Sequence, residues 1–277
     1  MVFLPNFKKR IGAKFHKIFL ERFEYIKKEI PNQIVEENKK NIIPNIVYQT
    51  WINRRLPWRM WKEIKKFREL NHDYSFILFS DEERDEYMKN SWGHRKIYEL
   101  YRNSVFQASK ADIWRYCILY EKGGYYFDIK SSCEKPLSKL IKSHGTSLTF
   151  ESHYTYIVPS ENILKNDSNF NINTIANWGM GFSKEHPLLE IIISNIEEVC
   201  EFFREKRYPY PKPHILSFTG PGMITKSYRD YLEKYNSIIE FNGVNFFGEG
   251  IYEVKGSQYR FLSSPHYKEV KNSKILL

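Results

Sequence analysis

The chain is poor in cysteine: Cys117, Cys133 and Cys200 are all it has, odd in number, widely spaced and in no metal-ligand pattern. That excludes a disulfide framework and a structural zinc site, and it fits a reducing compartment. Long apolar runs are missing too, and nothing approaches the roughly 18 apolar residues of a membrane-spanning helix. Near the amino terminus Phe7 is followed at once by Lys8, Lys9 and Arg10, so the apolar core of a secretory signal is absent. These absences predict a cytoplasmic protein, soluble or held peripherally on the inner face of a membrane. Internal repeats, zinc-finger spacings and an aromatic RNA-recognition signature are also lacking.

Positive charge and aromatic rings are plentiful. Lys and Arg number 43 against 33 Asp and Glu, a formal charge of +10 that suits an anionic partner: nucleic acid, a membrane surface or a diphosphate ligand. The basic residues are spread along the chain instead of clustering on one helix, so no nucleic-acid partner is expected. Tyr and Phe, 20 of each, can stack on sugars and bases, although most are expected in the core. A chain of 277 residues can bury a substantial core, and one large α/β domain with appendages is the expected organisation.

Residues 7–30 read as a basic amphipathic helix. Phe7, Ile11, Phe15, Ile18, Phe19, Phe23, Ile26 and Ile30 form one stripe, with Lys8, Lys9, Lys14, Lys17, Lys27 and Lys28 off it. Such a helix either lies on an anionic leaflet or packs its stripe on the domain. Residues 1–41 are therefore expected as helix and linker, and 42–277 as the domain. Ile42–Thr50 is an apolar run that suits a buried first strand of a parallel sheet, with Gln49, Thr50 and Trp51 at its end, where a nucleotide would sit. A helix over 57–70, a strand over 74–79 and a helix capped by Ser80 and Asp81 continue a βαβ pattern. Further on, a short helix over 136–141, a strand over 147–151, an Asn-rich loop over 159–173, a proline-rich connector over 208–213 and helices over 186–204 and 221–235 complete the expected elements.

The stretch from Ala108 to Cys133 holds the chemistry. Apolar residues at three- and four-residue intervals, from Val105 to Tyr120, predict an amphipathic helix, which Gly123 and Gly124 stop. Tyr125, Tyr126 and Phe127 then read as a short strand ending in Asp128-Ile129-Lys130. On an extended chain Asp128 and Lys130 would point the same way.

Three blocks carry a resemblance: Ala111-Asp112-Ile113-Trp114-Arg115-Tyr116, Leu119-Tyr120-Glu121-Lys122-Gly123-Gly124-Tyr125-Tyr126, and Asp128-Ile129-Lys130. Their order resembles the DXD-containing sugar-nucleotide glycosyltransferases of family 32, which include yeast-type α-mannosyltransferases and bacterial capsular polysaccharide glycosyltransferases. Gln49-Thr50-Trp51, the Asn177 strand with His186-Pro187 after it, and Thr219-Gly220-Pro221 match further elements of that family. Together they run from Ile43 to Pro221. In the third block the sequence departs from the family, because Lys130 stands where most members carry a second carboxylate.

The resemblance implies a GT-A-like fold: a single Rossmann-type nucleotide-binding domain with a mixed, mostly parallel sheet. It implies transfer of a sugar from a UDP- or GDP-linked donor to a glycan or glycolipid acceptor, with retention, in surface polysaccharide or glycoconjugate assembly. Asp128 would bind a divalent metal (Mn²⁺ or Mg²⁺) or the ribose. Asp112 and Arg115 would serve the nucleotide or donor sugar, as would Gln49, Thr50, Trp51, Gly123, Gly124 and Tyr126, while Asn177 and Thr219 would bond sugar hydroxyls. Trp51 and Trp178 are candidates to stack on a ring, and the Gly179 and Gly181 backbone could approach a ligand.

Lys130 leaves two alternatives open. Its ammonium cannot ligate a metal and would be repelled by one, by roughly 4 kcal/mol for unit charges 4 Å apart at an effective dielectric near 20. Either it replaces the cation and neutralises the diphosphate, or it turns aside while Asp128 and His266 hold the metal. A catalytically inactive carbohydrate-binding relative and a basic nucleic-acid binding protein are the competing functions.

Overall fold

The computed structural model describes residues 27–36, 41–141, 145–150, 174–237, 239, 251–253 and 269–277. The helix expected over 7–30 and the Asn-rich loop expected over 159–173 lie outside them, except that Lys27–Glu29 is a strand, β1, and not helix. The reason is local. Ile30 precedes Pro31, which disfavours helical backbone, and Ile30 is drawn into a small core with Leu56, Met60 and Ile64. Beyond β1 the chain stays on the sheet: Gln33 bridges to Phe76, and Val35 N–H donates to Ser75 Oγ at 3.0 Å.

In chain order the elements continue as β2 (Ile46–Thr50), β3 (Arg55–Pro57), α1 (Trp58–Leu70), β4 (Ser75–Phe79), α2 (Asp81–Trp92), α3 (Lys96–Asn103) and α4 (Gln107–Lys122). β5 (Gly124–Phe127), β6 (Ser131–Cys133), α5 (Leu137–Leu140), β7 (Thr146–Ser147), β8 (Gly179–Phe182) and α6 (Pro187–Phe203) follow. β9 (Arg207–Tyr208), α7 (Pro211–Phe218), α8 (Pro221–Tyr235), β10 (Ile251–Glu253) and β11 (Ser273–Lys274) complete the described elements. Among these no helix is long and apolar enough to cross a membrane.

The central sheet has the order β4-β2-β5-β8-β7. β4, β2 and β5 are parallel, while β8 runs antiparallel to both its neighbours, so the expected mixed α/β architecture is present. Alternation along the strands splits the core. Tyr48, Tyr126, Met180 and Phe182 join one large cluster with α4, α6 and α8. Val47, Phe76, Tyr125 and Phe127 pack on the other face with Phe67 of α1.

Sequence signals account for the ends of most elements. Ser80 accepts from Glu83 N–H while the Glu83 carboxylate accepts from Ser80 N–H, a reciprocal cap that starts α2. His186 Nδ1 accepts from Leu188 N–H at 3.2 Å and Pro187 opens α6. The proline-rich stretch expected as a connector instead contains β9 and the start of α7, because Pro211 and Pro213 fall in a first turn, where their missing N–H groups cost nothing.

α4 departs most from its expected character. It is buried from Asp112 to Leu119 without interruption, whereas Val105, expected on its stripe, lies before it and is exposed. It packs against β5, β8, α2, α3 and α6 at once, so no face is left for solvent. A helix enclosed this way has to pair its own charges.

Candidate functional site

The two glycines after α4 are required by the backbone. Gly123 has φ +67° and Gly124 φ +101°, and a Cβ on Gly124 would lie 2.7 Å from the Ile46 carbonyl. That close approach lets β5 pair beside β2. Gly123 caps α4 and Gly124 begins β5, however, while Asp128 follows its carboxyl end. The structure thus places these glycines, expected at the donor, at the opposite edge of the sheet.

At the carboxyl edge α4, β5, the β8 approach and the start of α8 bring six expected residues together. Asp112 is buried on α4, and both its carboxylate oxygens have protein partners. Its Oδ1 accepts from Asn177 Nδ2 at 3.0 Å and lies 3.2 Å from Arg115 Nη2, and its Oδ2 accepts from Thr219 Oγ1 at 2.9 Å. Thr219 is held in turn by Tyr116, whose hydroxyl donates to the Thr219 carbonyl at 2.9 Å. Arg115 donates to the Asn177 carbonyl and to Tyr126 Oη, stacks over the Tyr126 ring at 4.1 Å and sits 3.7 Å from Asp128 Oδ1. Tyr126 Oη donates to Asp128 Oδ1 at 2.8 Å.

The spacing Asp112 to Arg115 would also suit an exposed helix pair, but here both members are enclosed. Asn177 is not merely a turn residue nor Thr219 a helix cap, since both side chains bind the Asp112 carboxylate. Burial pushes the Asp112 carboxyl up to about 6, against the pull of Arg115 and the Thr219 hydrogen bond. For Arg115 burial acts downward, but the charges of Tyr126, Asp112 and Asp128 overcome it and hold the guanidinium firmly protonated.

Asp128 differs from Asp112 in access. Its side chain is 28% exposed against 8% for Asp112. Ser131 N–H donates to the Asp128 carbonyl at 2.8 Å, so 128–131 is a turn and not the extended chain expected. The turn still leaves Lys130 beside Asp128, with Nζ 4.0 Å from Oδ2.

The other expected donor residues are placed differently. Gln49 is fully buried under α1, with Oε1 accepting from Arg68 Nη2 at 3.3 Å and no hydrogen bond to Nε2. Thr50 is buried as well, donating to the Phe79 carbonyl and accepting from Arg84 Nη1 at 3.2 Å. Neither opens toward a nucleotide. Trp51 is half-buried and packs on the small core that contains Ile129, which keeps it at the rim near Asp128. Trp178 packs in the cluster beneath α1. Gly179 and Gly181 make room for protein, not ligand: a Cβ on Gly181 would fall 2.4 Å from the Tyr125 ring, and one on Gly179 3.0 Å from the Phe127 ring.

A second buried polar cluster at this edge was not foreseen. Arg84 is enclosed by Thr50, Tyr101, Gln107 and Asp81, and it joins the end of β2 to the first turn of α4. Its only sequence signal is the Asp81 to Arg84 spacing, which any helix surface shares.

The described residues do not assemble a divalent-cation site. Asp112 is buried and already bonded to Asn177 and Thr219, Asp128 has an arginine and a lysine within 4.0 Å, and His266 lies outside the described residues. Among the described residues no group of three or more His, Cys, Asp or Glu is placed to hold a metal.

Residues 57–147, which include α4, β5 and the Asp128 turn, match the family described as glycosyltransferase sugar-binding region containing DXD motif. The chain is related to the DXD-type glycosyltransferases. It is 26% identical over 193 residues to inositol phosphoceramide mannosyltransferase 3 of Schizosaccharomyces pombe, covering 70% of this chain and 47% of that protein. It is 32% identical over 194 residues to mannosyl phosphorylinositol ceramide synthase SUR1 of Saccharomyces cerevisiae, covering 70% and 44%. To the synthase CSH1 of the same yeast it is 25% identical over 232 residues, covering 84% and 54%. The chain thus spans about half the length of the curated relatives it matches. A solved structure, PaToxG Glycosyltransferase, aligns over 82% of this chain and 80% of its own with TM-score 0.45 and 13% identity.

Proposed function

We propose that this DXD-type relative transfers a sugar from a nucleoside-diphosphate donor to a glycan or glycolipid acceptor. The observation that carries the reading is Asp128. It is the partly open carboxylate at the end of a buried charge network, on a turn within the residues that match the family, and Lys130 lies beside it. The mannosyltransferase names of the relatives support a glycolipid acceptor for this chain. Retention, and a role in surface polysaccharide or glycoconjugate assembly, remain part of the proposal.

Sugar transfer builds positive charge at the anomeric carbon and negative charge on the departing diphosphate. In this chain Lys130 offsets that negative charge and Asp128 accepts hydrogen bonds from the ribose hydroxyls. Asp112, Arg115, Tyr126, Asn177 and Thr219 hold Asp128 in position through the buried network and do not themselves touch the sugar. The described residues give no step that runs through a metal.

A thermal-shift panel of UDP- and GDP-sugars, each with Mn²⁺, Mg²⁺ or EDTA, tests this. The true donor raises the melting temperature of the wild type by mass action. Asp128→Ala abolishes that shift while leaving the unliganded melting temperature nearly unchanged. A shift that survives the substitution removes Asp128 from the site, and the absence of a shift or turnover with every donor points to an inactive relative.

A further inference from the structure

β1 and the first turns of α1 build a face with a chemistry of its own. β1 pairs antiparallel with β3, Lys27 opposite Pro57 and Lys28 opposite Leu56. Trp61 ties α1 to this ribbon, its indole N–H donating to the Glu29 carbonyl at 2.9 Å. Ile30, Leu56, Met60 and Ile64 form the buried side. Beside that core Lys28 Nζ lies 4.8 Å and Lys65 Nζ 5.5 Å from the Trp61 ring centroid, and Lys62 Nζ lies 5.7 Å from that of Trp58. Trp58, Trp61, Lys62 and Lys65 are spaced at three and four residues, one stripe of the helix.

The acids nearby do not cancel this charge. Glu29 stands opposite Arg55, and Glu69 lies 3.4 Å from Lys65. Lys28 and Lys62 remain exposed beside the two indoles. The sequence before Lys27 is basic as well, with Lys8, Lys9, Arg10, Lys14, Lys17 and Arg22 against Glu21 and Glu24. Of the six tryptophans, Trp92, Trp114 and Trp178 are buried, and two of the three half-buried ones lie on this stripe.

Half-buried indoles ringed by ammonium groups match the headgroup layer of a bilayer, where the ring takes an amphipathic boundary and the lysines reach lipid phosphates. A nucleic-acid strand fits less well, because ammonium groups already lie over these rings and a stacking base would have to displace them. The face is also coupled to the Asp128 turn, since Ile129 packs in the same small core as Leu56 and Met60. We propose that the β1–α1 face docks on an anionic lipid bilayer, with Trp58 and Trp61 at headgroup level and Lys28, Lys62 and Lys65 on lipid phosphates. The proposal holds whether or not the transferase reading does.

The test uses the full chain with phosphatidylcholine vesicles, with and without phosphatidylserine, in unlabelled and acyl-brominated forms. The chain sediments with the anionic vesicles, less so as salt rises, and brominated lipid quenches its tryptophan fluorescence. Residues 1–26 contain no tryptophan, so quenching reports on this face and not on that segment. Combining Lys28→Gln, Lys62→Gln and Lys65→Gln weakens partitioning about a hundredfold, roughly fivefold per charge. The Trp58→Phe/Trp61→Phe form, matched to the wild type in melting temperature, loses the quenching. The proposal is overturned if anionic vesicles do not bind, if binding occurs without quenching, if quenching persists in the double Phe form, or if the triple substitution leaves partitioning unchanged. Binding to RNA or DNA that outcompetes the vesicles overturns it as well.

Discussion

Replacing Arg115 with Met probes the electrostatic logic of the site most directly. Methionine keeps the stem but removes three hydrogen bonds, to the Ala111 and Asn177 carbonyls and to Tyr126 Oη, and the partner 3.2 Å from Asp112. Breaking a buried pair by deleting one member costs about 3–5 kcal/mol. For a chain of 277 residues that lowers the melting temperature by about 6–10 °C, at about 2 °C per kcal/mol. The loss depends on pH. Asp112 already titrates near 6 when folded, above its ordinary 3.8, so the native state binds the extra proton between these values. The stability this group contributes is fully present below about 3.8 and is lost as pH rises through 6. Without Arg115, the strongest downward pull on that carboxyl, its folded value climbs further and the loss extends through neutral pH. Melting curves of wild type and Arg115→Met at pH 5 and pH 8 therefore diverge: at pH 5 Asp112 is largely protonated in both, leaving about 2 kcal/mol for the lost hydrogen bonds. At pH 8 the full difference appears. An equal gap at both pH values would refute the pairing, and a drop below about 1 °C at pH 8 would refute the burial argument as well.

Two further outcomes follow from the scaffold. Gly124→Ala forces a side chain into left-handed backbone and against the Ile46 carbonyl, costing about 2–4 kcal/mol in urea unfolding. The folded fraction keeps its affinity for the donor, and a selective loss of affinity at unchanged stability would return Gly124 to the site. His186 is held down to about 4 by burial, so the unfolded state binds more protons between about 4 and 6.5, and the stability this residue contributes above 6.5 is lost as pH falls through that window. His186→Asn keeps a capping acceptor for Leu188 N–H and removes about 2 kcal/mol of that acid loss, after allowance for solvent screening. Melts at pH 7 and pH 5 with the same slope for both proteins would show that His186 is not the group responsible.

Local grammar was legible because it acts through neighbours in the chain. The Ser80 and Glu83 cap, Pro187 after His186, and the glycines closing α4 each specify their element within four residues. The motif order also located Asp112, Arg115, Tyr126, Asp128, Asn177 and Thr219, which the fold does gather. Their division of labour was not legible. Asp112 and Arg115 have the spacing of an exposed pair, and only the packing of β5, β8 and three helices around α4 makes the pair buried. Gln49 and Thr50 sit at the strand end expected for a nucleotide, yet Arg68 and Arg84, 19 and 34 residues away, cover them. Gly179 and Gly181 look like ligand-approach positions until Tyr125 and Phe127 are seen to fill the space. In each case a distant side chain occupied the room that the motif seemed to leave for a ligand.

The row of charges at the edge alternates in sign as it moves outward: Asp112, Arg115, Asp128, Lys130. The first two neutralise each other inside, where an uncompensated charge would be costly. The outer two are 28% and 22% exposed, and a pair in that setting contributes at most about 1 kcal/mol at 4.0 Å. Lys130 therefore gives up its contact with Asp128 at little cost, whereas Arg115 cannot leave Asp112 without stranding a buried carboxylate. An incoming anion thus meets a cation that can be redirected, mounted on a network that cannot move. That asymmetry, more than the presence of any single carboxylate, supports the proposal that this turn receives a diphosphate.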